Sequence, residues 1–145
     1  MKIILNKIFF LILIFSLFSC SDPENISLYV DCPISVKKGE TFSIITTIKN
    51  TSNHQQQKLV SIDIDDNYLD GIAILSTTPD YSDVIYIPID NTQSYSFNEI
   101  VRPNEEIVIE FIAKAFKIGA FKGKIDFCIN SEFSFLSKSI FTDIY

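Results

Sequence analysis

Two-residue alternation of apolar and polar side chains recurs along this chain, and it fixes the kind of element the chain can build. In the stretch TFSIITTIKN, Phe42, Ile44, Thr46 and Ile48 share one parity and Ser43, Ile45, Thr47 and Lys49 the other. Residues 58–64 set Val60, Ile62 and Ile64 opposite Ser61 and Asp63, and residues 105–115 set Ile107, Ile109, Phe111 and Ala113 against Val108, Glu110, Ile112 and Lys114. In residues 120–130, Phe121, Ile125, Phe127 and Ile129 alternate with Lys122, Lys124, Asp126 and Cys128. A period of two puts one set of side chains into a core and the other toward water, which describes half-buried strands. The 26 isoleucines among 145 residues point the same way, because β-branched side chains favour strands over helices.

Turn-forming clusters punctuate the alternation at residues 37–40, 50–57, 77–83, 90–93, 102–106 and 117–119. Their spacing of roughly 8–15 residues predicts an all-β fold rather than βαβ units. The expected architecture is an immunoglobulin-like β-sandwich of about seven to eight antiparallel strands over residues 26–145. Pro103 fits the second position of a type I turn, with Asn104 following. Pro88, inside the strand-like run VIYIPID, marks that run as a sheet edge, since proline cannot donate to a ladder. The segment DNYLDG has room for one helical turn before Gly71.

The amino-terminal residues say where the chain is sent. Lys2 and Lys7 precede an apolar run of 11 residues, 8–18, followed by Ser19, Cys20 and Ser21. A basic head, a short apolar middle and a small residue before a cut describe a secretory signal at residues 1–19. A membrane-spanning helix needs roughly 20 apolar residues, so an uncleaved anchor would have to reach back through Asn6 and Lys7. Leu17 and Ser19 ahead of Cys20 resemble the lipobox of bacterial lipoproteins, from which Phe18 departs. The resemblance implies that Cys20 is acylated, becomes the first mature residue, and that residues 20–25 tether the domain. Two or more acyl chains hold a protein durably where one does so only marginally. Ser21, rather than Asp, resembles the signal of lipoproteins passed to the outer membrane. The competing reading is an ordinary secreted protein whose Cys20 pairs elsewhere.

Loss of residues 1–19 removes two lysines and leaves 10 basic against 18 acidic residues. Such an excess argues against nucleic acid, whose phosphates demand lysine and arginine. It equally disfavours electrostatic adhesion to anionic lipid, so membrane contact is expected through acylated Cys20 alone.

The stretches VKKGETFSIITTIKNTS and VRPNEEIVIEFIAKAFKIGAFKGKIDFCIN resemble bacterial immunoglobulin-like modules of the cell-adhesion-related, CARDB-like kind. Gly39, Glu40 and Asn50 match the first turn and strand of that pattern; Pro103, Glu105, Gly119, Phe121 and Gly123 match the second. Asn104 stands where glycine is usual, and Ser52 where glycine often follows the asparagine. The resemblance covers roughly residues 34–130 and implies a fold, since turn-and-strand motifs carry no activity.

Candidate chemistry is sparse. Asp63, Asp65, Asp66 and Asp70 crowd into eight residues, but an EF-hand would put Tyr68 at position 6, where glycine is required, and Ile74 at position 12, where glutamate is required. A looser cation site between strands stays open beside plain solvation, and no metal or cofactor is expected. Cys32 and Cys128 could pair, closing a long loop worth about 4 kcal/mol in the chain-entropy model. Their parities differ, however: Cys128 falls on the polar side of its strand and Cys32 on the apolar side, so the pairing stays open. His54, the one histidine, lies in a polar loop with no catalytic motif beside it, and no enzyme is expected. Tyr68, Tyr81, Tyr86 and Tyr95 gather near the presumed edge, either as an interface patch or as rings buried in the sandwich.

The expectation is a lipid-anchored protein of the bacterial envelope, on the outer membrane, acting as a non-catalytic module that binds or assembles with an envelope protein. The alternative is a lipoprotein that inhibits an envelope hydrolase through an inserted loop, residues 77–83 or 50–57.

Overall fold

The structure, a computed structural model, describes residues 22–145. The leader and Cys20 lie outside the described residues. Ten strands follow in order: β1 (Ile26–Asp31), β2 (Ser35–Val36), β3 (Thr41–Asn50), β4 (Gln57–Asp65), β5 (Ile72–Thr78), β6 (Asp83–Ile87), β7 (Thr92–Val101), β8 (Glu106–Ala115), β9 (Gly119–Ile129) and β10 (Phe135–Ile144), with one short helix, α1 (Asp66–Leu69), between β4 and β5. They form a four-stranded sheet, β1-β3-β8-β5, and a six-stranded sheet, β2-β10-β9-β4-β7-β6. The all-β, immunoglobulin-like sandwich read from the sequence is therefore the fold. The strand count is higher than expected, and one pair, β2 with β10, is parallel. Two-residue β2 and five-residue β6 are too short to show a periodic pattern of their own.

The alternation sorts the side chains as expected except at Val60, which a bulge between Leu59 and Ser61 turns to the outer face while Leu59 takes the core position. Ile44, Ile48, Ile109 and Phe111 of the four-stranded sheet are fully buried, as are Leu59, Ile62, Ile64, Ile125, Phe127 and Ile129 of the six-stranded sheet. Each such side chain contributes roughly 1.5–3 kcal/mol by leaving water. Edge-to-face aromatic contacts link the layers: Phe111 meets Tyr95 at 5.5 Å and Phe97 at 6.1 Å between ring centres. Thr46, buried on the apolar side of β3, satisfies its hydroxyl by donating to the Ile109 carbonyl at 3.1 Å.

Two turns launch the central pair β3 and β8, and they share one design. The Glu40 N–H donates to the Lys37 carbonyl and the Glu105 N–H to the Arg102 carbonyl. The third residue of each turn has positive φ, +92° at Gly39 and +61° at Asn104. A type I turn requires a negative value there, so the turn at Pro103 has the φ of type II instead, with asparagine in the place that otherwise favours glycine. Asn50 ends β3 fully buried; its Nδ2 donates to the Gln55 and Val101 carbonyls and its Oδ1 accepts from Ser52 N–H. The loop that carries His54 is thus tied down from its first residue.

Candidate binding site

The six-stranded sheet covers the core with one face, and its other face is open. Antiparallel register brings the outward residues of four strands into rows: Asp63 lies opposite Ser94 on β7 and Asp126 on β9, and Asp126 lies opposite Ser137 on β10. The β6–β7 turn brings Asp90 to one side of this face and the β9–β10 loop brings Glu132 to the other. Two adjoining hollows result. An acidic one of about 360 Å³ is lined by Asp63, Asp65, Asp90, Asp126 and Glu132 beside Lys124. A more apolar one of about 490 Å³ is lined by Ile85, Ile87, Ile89, Phe133 and Phe135 over a floor of Ser61, Ser94 and Ser96. They share Asp63, Asp90, Glu132 and Phe135 and so form one trough.

The electrostatics follow from crowding. Burial holds the Asp126 carboxyl above the usual carboxylate range, opposed by a hydrogen bond from Ser137 and reinforced by the charge on Asp63. Cys128, packed on the same face, donates its thiol to Asp63 Oδ2 at 3.5 Å. Burial pushes that thiol up to about 12, which leaves it protonated and a poor nucleophile at neutral pH. Thr92 sits at the acidic end only 7% exposed, and its Oγ1 has no hydrogen-bond partner among the described residues.

The acidic cluster seen in the sequence disperses. Asp65 caps α1, its Oδ1 accepting from Asn67 N–H at 2.9 Å, and Asp70 pairs with Lys117. Only Asp63 and Asp65 of the four line the trough. Among the described residues no group of three or more His, Cys, Asp or Glu is arranged to hold a metal ion. Cys32 and Cys128 are free thiols here. The parity conflict is realised: Cys128 faces out beside Asp63, while Cys32 reaches inward to Tyr68 Oη at 3.2 Å and Thr142 Oγ1 at 3.4 Å. The tyrosines divide as well. Tyr68 and Tyr95 are core residues, Tyr81 stacks edgewise on Tyr95 at 5.4 Å, and Tyr86 alone of the four stands half exposed on the edge strand. His54 is exposed, with its backbone N–H donating to Ser52 Oγ.

Asp90, Asp126, Glu132 and the isoleucines of β6 were not singled out in the sequence. Parity puts Asp126 on an outward face, but which strands lie side by side is set by the crossovers between sheets, and no local pattern encodes those.

No family model matches the sequence, and no curated protein matches it. In three dimensions the chain is similar to the CARDB domain of a Pyrococcus furiosus protein, with TM-score 0.52 and 10% identity over 86% of this chain and 97% of that domain. A crystal structure of that domain in complex with di-metal ions aligns with TM-score 0.50 and 10% identity, covering 82% of this chain and 91% of that one. AvmM, described as catalysing macrocyclization in alchivemycin A biosynthesis, aligns with TM-score 0.55 and 8% identity, covering 84% of this chain and 89% of that one. These likenesses define the class, an immunoglobulin-like β-sandwich of CARDB-like fold. At such identities they reach no further than the fold.

Proposed function

We propose that this protein is a lipoprotein of the bacterial envelope, cut before Cys20 and acylated there, whose sandwich is a non-catalytic binding or assembly module. The anchor rests on the leader and the lipobox-like residues. The observation that carries the binding role is strand β6. It ends the six-stranded sheet, and its outer side pairs with nothing among the described residues. Val84, Ile85 and Tyr86 on it are 40%, 53% and 50% exposed. Natural sheets blunt their edges with charge, proline or cover, and an apolar edge left open is suited to strand addition by a partner. Pro88 closes β6 at one end and limits such pairing to a short segment.

A second reading, inhibition of an envelope hydrolase, draws on the loop at residues 78–82. Thr77 Oγ1 donates to the Pro79 carbonyl and accepts from Tyr81 N–H, which shapes that loop in advance of any target.

A photo-crosslinking amino acid at position 86, expressed in the full chain in its own cells, tests both. The module reading expects protein adducts at 86 and none above background at Lys49, an exposed site on the other sheet. Adducts with a hydrolase from position 80, and none from 86, would establish the inhibitor instead. Intact-mass measurement of the mature chain checks the acyl groups on Cys20.

A further inference from the structure

We infer that the trough on the outer face of the six-stranded sheet takes a partner-protein segment that presents an apolar side chain next to lysine or arginine. The inference rests on the binding-module reading and names the chemistry of its partner.

Charge selects the occupant. The trough gathers five carboxylates, from Asp63, Asp65, Asp90, Asp126 and Glu132, against the single ammonium of Lys124. Packed this closely the carboxylates repel one another, and a cation placed among them removes that cost as it gains their attraction. Anionic lipid headgroups, nucleic acid and acidic peptides are repelled by the same field. Thr92 supplies a second and independent pointer. Its Oγ1 is buried at the acidic end with no hydrogen-bond partner among the described residues, and an unsatisfied buried hydroxyl is an acceptor for an arriving ammonium or guanidinium N–H.

The apolar half sets the second requirement. Ile89 is 91% exposed, Ile85 53% and Phe135 44%, and all three line the hollow that adjoins the acidic one. Side chains of this size left open to water gain roughly 25 cal/mol for each Å² that a partner covers. Ser61, Ser94 and Ser96 form a polar floor between these walls, which suits a peptide main chain better than a purely hydrocarbon ligand. A free polyamine would satisfy the carboxylates and leave the isoleucines exposed. A segment of protein with alternating leucine-like and lysine-like residues satisfies both halves.

Calorimetry on the full chain, purified in a non-ionic detergent, tests this with three probes: a short capped peptide of alternating leucine and lysine, the same peptide with glutamate for lysine, and spermidine. The leucine–lysine peptide is expected to bind at least about tenfold more tightly than either other probe, and to weaken when salt is raised to about 0.5 M. Asp63→Asn with Asp126→Asn should weaken it about tenfold. Asp90→Asn with Glu132→Gln, both outside the strands, should do likewise without disturbing the sheet, and Ile89→Ser should weaken it with thermal unfolding unchanged. Equal binding of the lysine and glutamate peptides, or binding unmoved by both pairs of variants, overturns the inference. Spermidine as tight as the peptide overturns its apolar half. Adducts from position 86 with no peptide binding would leave the module reading standing and remove this one; peptide binding in the trough with no adduct would leave this one standing and remove β6 as the docking edge.

Discussion

At the scale of single residues, the acidic trough exacts a stability cost that one substitution should relieve. Asp126 lies opposite Asp63 across β4 and β9, and burial, with that neighbouring charge, raises its carboxyl above the ordinary range. Between the ordinary and the raised value the folded chain holds a proton that the unfolded chain has lost. Stability contributed by this group therefore falls as pH rises through that window, and the full penalty is present above it. Asp126→Asn keeps an oxygen to accept from Ser137 and removes the charge. It should raise the urea midpoint at neutral pH, with the gain shrinking as pH falls through the raised value and gone below the ordinary carboxylate range, about 4. Unequal legibility is also plain at this scale. Asn104 was visible as a departure from the glycine of the family pattern, and its φ of +61° explains why asparagine is accepted there. The role of Asn50 as the buried clasp of its loop was not visible, because its partners Gln55 and Val101 meet it only after β3 and β7 have folded.

Among the elements, the helical turn predicted before Gly71 forms as α1, and it crosses β9 so closely that one glycine decides the fit. A Cβ added to Gly123 would lie 2.8 Å from Asp65 Cβ and 3.0 Å from Tyr68 Cβ. Neither atom can rotate aside, since each is fixed to its own backbone, so α1 would have to lift from the sheet. Gly123→Ala is expected to cost about 1–3 kcal/mol, read as a lower midpoint in equilibrium unfolding with the secondary structure retained. The alternation in β3, β8 and β9 was enough to place their faces because each is long and half buried. Strand β6 was recognised only through Pro88, and β2 not at all. The bulge opposite Leu59 and Ser61 was equally silent, although Asn98, with φ of +57°, sits within it.

For the whole molecule, the separation of the two thiols to opposite sides of one layer gives a direct chemical signature. Unfolded without reductant, the chain should show both Cys32 and Cys128 alkylated, by peptide mapping. In the native state Cys32 should react well before Cys128, which is 2% exposed and whose thiol is held protonated. A bridged peptide would contradict the structure. The two-layer class was legible because strand periodicity and turn spacing are local properties. The trough was not, since it depends on β6, β7, β4, β9 and β10 lying side by side, an order fixed by the crossovers between the sheets rather than by any one segment.

The first strands carry a mechanical consequence. Within a few residues the chain leaves β1, in the four-stranded layer, turns inward at Cys32, and enters β2, in the six-stranded layer, where it lies parallel to the final strand. Tension arriving from the amino-terminal side therefore meets the ladder of β1 with β3 first and reaches β2, in the other layer, only once β1 gives way. When that pull acts along β1, the hydrogen bonds of its ladder with β3 are loaded in shear, and yield together, rather than being peeled one by one. A domain hung from its leading end in this way would transmit a tug before it came apart.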